Sequence, residues 1–389
     1  MDTKNYPLFT DEFVGEPPSK RALSYINSKR DDGNPIVGIY CGYAPLELIQ
    51  AMGITPAVLC AFSNATIEAA EVILPANLCP LIKSSYGFIL TDSCPFYALS
   101  DAVIAETTCD GKKKMFELIS DKKPLFVMDL PQVPAEQEAK ENWTVMIKKV
   151  QSFLEQTFNR TVTDEKIEEA IKDVNHKNKM MRKIFDYAAM RPPVIGWSEL
   201  YDIIFLATIA TGKDIEPILK DIIIQLDKRV QNGYSNSKNL LAPRVMVTGC
   251  PVGGDATRIF KIIEEIGGDV VALDACSGMK LFLDSTEEDS NDPVSAISEK
   301  YLRIPCSCMT PNCRRLSEID KIIEKFQPDV VIDLILHACH SYNIESYKIG
   351  EHIKNRHNLP FQKIIIDYSE GDTEQIKTRM EALLETVNN

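Results

Sequence analysis

Short apolar runs rich in β-branched residues recur in two separate parts of the chain, each run followed by a longer stretch of mixed polarity. In the first part the runs are IVGIY, PAVLC, DAVIAE and PLFVMDL. They are brief and continuous, as expected of strands buried on both faces of a parallel sheet. PLELIQAMG, TIEAAEVIL, the stretch from Leu81 to Leu99 and KKKMFELI supply the intervening helices. From Arg244 the alternation resumes with RVMVTG, TRIFKIIEEIG and DVVALDA. After an acidic stretch from Asp284 to Asp292 come a helix toward Tyr301, DVVIDLIL, a helix from Tyr342, and KIIIDY. Between the two parts the period changes to helical, with Ile167, Ile171 and Val174 at helical spacing after Thr163-Asp164-Glu165, whose acids suit a helix N-terminus. Arg191-Pro192-Pro193 interrupts it, because a residue before proline is pushed out of the helical region. The pattern predicts an α/β protein: two Rossmann/flavodoxin-like parallel-sheet domains, residues 1–132 and 242–389, joined by a helical segment, 133–241. Strand carboxyl ends of both sheets should open on one interdomain cleft, the usual ligand site of such folds.

A length of 389 residues with 44% hydrophobic content is enough for two or three cores. The formal net charge of -13 excludes nucleic acid and an acidic membrane surface as main partners, and the basic run Lys112-Lys113-Lys114 does not alter that. No run approaches the ~18 apolar residues of a membrane span, and MDTKNYPLFTDEF lacks the charged and apolar regions of a signal peptide. A cytoplasmic protein is expected.

The cysteines change the picture. Cys41, Cys60 and Cys109 follow apolar runs in the first half; Cys250, Cys276 and Cys339 do so in the second. Cys79 and the pair Cys306/Cys308 lie in loop-like stretches between them. A reducing cytosol does not sustain disulfides, so eleven cysteines need another reason. Any one of them can be a small buried hydrophobe. The group is not explained that way, because several adjoin turn residues: Cys-Pro at 79, 94 and 250, and Cys-Asp-Gly at 109. Cys79 and Cys109 are 30 residues apart and Cys308 and Cys339 are 31, which makes the halves equivalent in layout and leaves Cys313 or another as a spare. Thiols gathered at strand ends form a candidate cluster site.

GIYCGYAPLELIQAMGITP, ANLCPLIKSSYG, VIAETTCDGKKKM, TGCPVGG, LHACHSY and the closing IIIDYSEGDTEQIKTRMEA, in chain order, resemble the 2-hydroxyacyl-CoA dehydratase/benzoyl-CoA reductase family of iron–sulfur proteins, of D-component type. The extra cysteines and the CSC motif at 306–308 are most similar to the single-subunit branch that includes the double-cubane cluster protein. The resemblance implies that Cys79, Cys109 and Cys339 hold a [4Fe-4S]-type cubane, three thiolates leaving one iron open. It further implies a second cubane joined through a sulfide, a double-cubane [8Fe-9S] cluster, for which Cys60, Cys276 and Cys308 are the preferred ligands, with Cys306, Cys41 and Cys94 behind them. Cys308 is preferred to Cys306 because its spacing to Cys339 mirrors that of Cys79 to Cys109, and the pair, two apart in a loop, is not expected to share one cluster face easily.

An oxygen-sensitive, low-potential reductase of small molecules such as acetylene, azide and hydrazine follows from that resemblance, as a homodimer served by an ATP-hydrolysing iron–sulfur activator protein. No GxxxxGK[ST] motif is present, so ATP chemistry belongs to the partner. The alternatives are a 2-hydroxyacyl-CoA dehydratase subunit with one cubane and a non-catalytic cluster carrier. Glu47 is a candidate acid or base facing the cleft, or a first-turn carboxylate of a helix. His340 and His337, flanking Cys339, are candidate proton relays or backbone partners. The glycines of TGCPVGG could cradle an anion or form a tight turn, and Trp143 and Trp197 should pack the helical segment onto the sheets.

Overall fold

In the computed structural model, which describes residues 7–237 and 239–387, the strand-like runs form two four-stranded sheets, all parallel. The first contains β1 (Ile36–Ile39), β2 (Thr55–Val58), β3 (Ala102–Glu106) and β4 (Leu125–Met128), in the order β2-β1-β3-β4. The second contains β5 (Arg244–Gly249), β6 (Asp269–Asp274), β7 (Val330–Leu336) and β8 (Phe361–Ile366), in the order β6-β5-β7-β8. The two lobes thus share one winding. In each, the chain steps from its first strand to one side and then returns to the other, giving a topological switch point between β1 and β3 and another between β5 and β7. β1, β3, β5 and β7 are buried along their whole length, which is why their sequences are largely unbroken apolar runs and do not alternate.

Helix α1 (Pro18–Asp31) precedes the first sheet; α2 (Leu46–Ala51), α3 (Ile67–Ala70), α4 (Pro80–Leu90), α5 (Pro95–Leu99) and α6 (Asp110–Ile119) connect its strands. The intervening helices are α7 (Gln137–Phe158), α8 (Asp164–Ala189), α9 (Trp197–Ile209) and α10 (Gly212–Gln231). The second lobe carries α11 (Arg258–Glu265), α12 (Pro293–Leu302), α13 (Cys313–Phe326), α14 (His340–His357) and α15 (Thr373–Glu385). Thr163 caps α8 through its hydroxyl, which accepts from Lys166 N at 3.4 Å, with Asp164 and Glu165 in the first turn as expected. α8 stops at Ala189, just ahead of Arg191-Pro192-Pro193.

These helices brace both lobes. α8 packs on α2 of the first lobe and on α12, α13 and β6 of the second. Trp143 of α7 is fully buried in the first lobe's core, edge-on to Tyr43 with centroids 6.0 Å apart, and Trp197 of α9 lies 4.2 Å from the ring of Phe260 in α11. Residues 293–309 cross over: Val294, Ile297, Tyr301, Cys306 and Met309 join the core that contains Val37 and Ile104 of the first sheet. The lobes are therefore interlocked by packing that strand periodicity does not reveal. Among the described residues no helix is long and apolar enough to cross a membrane.

Candidate functional site: a thiol-lined cleft between the lobes

The carboxyl ends of both sheets open on one cleft of about 1060 Å³, and every cysteine except Cys94 and Cys313 lines it. The placement follows from topology. Cys41 stands two residues beyond β1, Cys60 two beyond β2 and Cys109 three beyond β3; in the second lobe Cys250 follows β5 directly, Cys276 is two beyond β6 and Cys339 three beyond β7. Equivalent strand ends thus deliver equivalent thiols. All the cysteines are free.

The first set contains Cys79, Cys109 and Cys339. Each is the residue that precedes a helix N-terminus, of α4, α6 and α14 respectively. The Cys109 sulfur accepts from Lys112 N at 3.4 Å. Backbone donors at helix starts favour the thiolate form needed by a metal ligand. Burial pushes the Cys79 thiol up to about 12, and the nearby sulfurs of Cys339 and Cys109 push the same way, so the three sulfurs lie near one another, with Cys109 on the exposed side. Cys250 joins this set: it is buried, takes a hydrogen bond from Leu336 N at 3.3 Å, and donates to Cys339. That donation, against the opposing effect of burial, brings Cys339 down to about 7.

The second set contains Cys41, Cys60, Cys276, Cys306 and Cys308. Cys41 of the first lobe donates to Cys276 of the second; with the buried cations Lys280 and Arg315 adding to this against desolvation, Cys276 falls to about 6. Cys60 donates to Tyr40 O at 2.8 Å, and burial raises its thiol to about 11. The CSC loop differs from expectation. Cys306 and Cys308 are hydrogen-bonded sulfur to sulfur, because Met309 N bonds Cys306 O at 3.0 Å and closes the segment into a turn, where an extended loop would hold side chains two apart about 7 Å from each other. Asn312 fixes the turn by donating to Cys306 O at 2.9 Å, and Ser307 bonds Ser341 of α14 at 3.1 Å.

The donor chemistry fits an iron–sulfur group: reduced thiols from two rigid sheets converge on one partly enclosed space, several at helix N-termini. Among the described residues only Asp320, His352 and His357 have ligand atoms close enough for a single ion, and none of them lines the cleft. Cubane thiolates each bind a different iron, so wider spacing is what that group requires. Cys94, held in reserve as a ligand, does not line the cleft; it caps α5, accepting from Tyr97 N at 3.3 Å.

Glu47 and the glycines of TGCPVGG each take the structural one of their two expected roles. Glu47 does not line the cleft. It is fully buried on α2, where Oε1 accepts from Lys300 Nζ at 2.5 Å and Thr286 Oγ1 at 2.8 Å, and Oε2 from Tyr301 at 2.8 Å. Burial pushes its carboxyl up, but the Lys300 ammonium and these donors outweigh that and leave it below its ordinary value. It ties the lobes together. In TGCPVGG, Val252 N donates to Ser277 Oγ at 2.7 Å and Cys250 N to Leu334 O at 2.8 Å, while Gly254, at φ 48°, lets Phe62 of the first lobe approach so closely that a Cβ would collide with the Phe62 carbonyl oxygen. The motif is a turn for lobe packing. His340 begins α14 at the cleft mouth and is exposed; His337 is exposed, with its backbone N bonded to Ile366 O at 2.7 Å.

Sequence reasoning set lysines beside Cys109 but missed Glu106 and its pairing with Lys112. Lys112 lines the cleft and is paired with the buried Glu106, and its Nζ also reaches Tyr40 O at 3.4 Å. Both flank Cys109 in ETTCDGKKKM, the signal that could have marked them.

Two wound sheets around a cleft lined by free thiols define the class: a flavodoxin-like, two-lobed α/β protein. The family model for the 2-hydroxyglutaryl-CoA dehydratase D-component matches residues 41–387, and the chain belongs to that family. It is 38% identical to the putative dehydratase subunit YjiM of Escherichia coli (strain K12), over 92% of each chain. It is 22% identical to the (R)-phenyllactyl-CoA dehydratase beta subunit of Clostridium sporogenes over 98% of this chain and all of that one. With a benzoyl-CoA reductase subunit of Thauera aromatica it shares 19% identity over 70% of this chain and 69% of that one.

Proposed function

We propose that the protein is an activator-dependent, low-potential iron–sulfur reductase whose cleft holds a double-cubane [8Fe-9S] cluster. The supporting observation is the division of the cleft thiols into two sets, each drawn from both lobes: Cys79, Cys109, Cys250 and Cys339 in one, and Cys41, Cys60, Cys276, Cys306 and Cys308 in the other. A single cubane with three protein thiolates leaves the second set without a task. When bound, such a group supplies single electrons at low potential and open iron positions for a small molecule.

The chain's own residues would then do the rest. Cys79, Cys109 and Cys339 hold one cubane, with Cys250 steadying Cys339 by its hydrogen bond. Cys276, Cys308 and Cys60 or Cys41 hold the other, and Cys306 supports Cys308 through their shared hydrogen bond. The Lys112 ammonium faces the cleft and offsets the charge of an anionic cluster. His340, at the exposed mouth, carries protons between solvent and substrate. ATP hydrolysis falls to a separate iron–sulfur activator, and the protein works as a homodimer on small molecules.

A second reading is a 2-hydroxyacyl-CoA dehydratase subunit with one cubane, favoured by the names of YjiM and the phenyllactyl-CoA enzyme. Metal and sulfide analysis of protein purified without oxygen separates the two. About eight irons per chain support the double cubane, and about four the dehydratase. A cluster carrier without catalysis predicts no turnover of acetylene, azide or hydrazine when activator, ATP and reductant are all supplied.

A further inference from the structure

A second, smaller cavity of about 140 Å³ lies behind the thiol cleft and shares Gly42, Leu46, Thr208 and Leu281 with it. The partition is thin. Gly42 abuts Leu281 so closely that a Cβ there would collide with the leucine side chain. The walls are strongly basic: Lys177, Lys280 and Lys300 are its buried cations, and Arg303, Arg314 and Lys321 its more exposed ones, against the carboxylates Asp274, Asp284 and Glu318.

The outer charges are already matched. Asp284 is held by Arg303 at 2.8 Å and Arg314 at 3.0 Å, and Glu318 by Lys321 at 2.9 Å. At the inner end Lys300 is neutralised by Glu47 at 2.5 Å. The remaining two lysines are not matched in this way. Lys280, with its side chain 3% exposed, pairs with Asp274 only at 3.7 Å and also faces the Cys276 thiol, and its Nζ is left without a hydrogen-bond partner; Asp274 accepts its short bond from Thr248 Oγ1 at 2.8 Å. Lys177, 1% exposed, gives its Nζ to Ala210 O at 2.6 Å and forms no ion pair among the described residues. A buried ammonium with too few acceptors is unfavourable unless something anionic sits beside it. Burial draws Lys177 down to about 8, Lys300 adding to the fall and the carboxylates Asp173 and Glu47 offsetting it only in part.

We infer that this chamber is a binding site for a small oxyanion, of the phosphate, sulfate or carboxylate class, gripped by Lys177 and Lys280 and admitted past Arg303 and Arg314. The volume accommodates a single such ion with little room for water besides. The arginines at the outer end admit a free ion from solvent, whereas a carboxylate belonging to a molecule in the main cleft would have to pass Leu281. The grip depends on the protein's own cations, whichever cluster the cleft carries.

Isothermal titration of the full-length protein with inorganic phosphate, and separately with acetate, tests it. One saturable site per chain is expected, weakened about tenfold or more in Lys280→Met and in Lys177→Met, and unchanged in Lys114→Met, a substitution on the exposed face of α6. Arg303→Gln, at the half-exposed rim, keeps the interior intact and should weaken binding of the free ion if either lysine variant fails to fold. Binding of acetate and phosphate that ignores Arg303→Gln but is lost in Lys280→Met removes Arg303 from the site and overturns its part in the proposal. No saturable binding of either anion, or binding equal in all variants, overturns the site itself.

Discussion

The two thiol sets in the cleft are stabilised by different physics. Cys79, Cys109 and Cys339 are placed by secondary structure: each stands at a helix start, where backbone donors face its sulfur. Cys41, Cys276, Cys306 and Cys308 depend on thiol-to-thiol hydrogen bonds, across the lobes for Cys41 with Cys276 and within one turn for Cys306 with Cys308, with Lys280 and Arg315 also acting on Cys276. Backbone donors at helix starts survive side-chain change elsewhere, although Cys339 also leans on the Cys250 thiol. A set held by side chains fails when a single partner is removed.

The largest effect is expected at Cys109. Cys109→Ser removes a ligand of the first set, and nearly complete loss of iron should follow, read by metal analysis of anaerobically purified protein; full iron content would contradict the assignment. Cys308→Ser should cost about half the iron if two cubanes are present, and undiminished iron would remove Cys308 from the second set. Glu47→Gln leaves Lys300 buried against a neutral group and is expected to destabilise the fold by about 3–5 kcal/mol, measured by denaturant unfolding, while cluster content in the folded fraction stays unchanged. A smaller effect distinguishes individual thiols in cluster-free protein. Cys276 and Cys339, lowered to about 6 and about 7, should alkylate faster at neutral pH than Cys79, raised to about 12. A thiol with a depressed value is a thiolate above that value, so the advantage should fade as pH drops through 7 and then 6. Mass spectrometry of the labelled peptides reads it, and equal labelling of all three would contradict the assigned environments. Cys94→Ser should change neither iron nor the labelling of these three.

Much of this was legible in the chain. Continuous β-branched runs marked the buried strands, and cysteines beside proline and glycine marked their ends, so the shared cleft could be drawn from one-dimensional information. The helix-start positions of Cys79, Cys109 and Cys339 were legible too, because helix-like stretches follow each. What stayed hidden depends on distant partners. Glu47 could be read as a first-turn carboxylate, but nothing near it says that Thr286, Lys300 and Tyr301, far along the chain, close around it. The turn that joins Cys306 to Cys308 needs Asn312, and the role of Cys250 needs Cys339. Glu106 and its partner stayed hidden because nothing in a run of three lysines says that its first member points inward.

If both thiol sets hold iron and inorganic sulfide together, the metal content of the intact protein must show it. Quantifying iron and acid-labile sulfide in protein purified without oxygen, with electron paramagnetic resonance on the same sample, tests this most directly. About eight irons and slightly more sulfide per chain are expected, with a signal from coupled cubanes after reduction. About four irons would contradict the second set's role, and colourless, iron-free protein would contradict both.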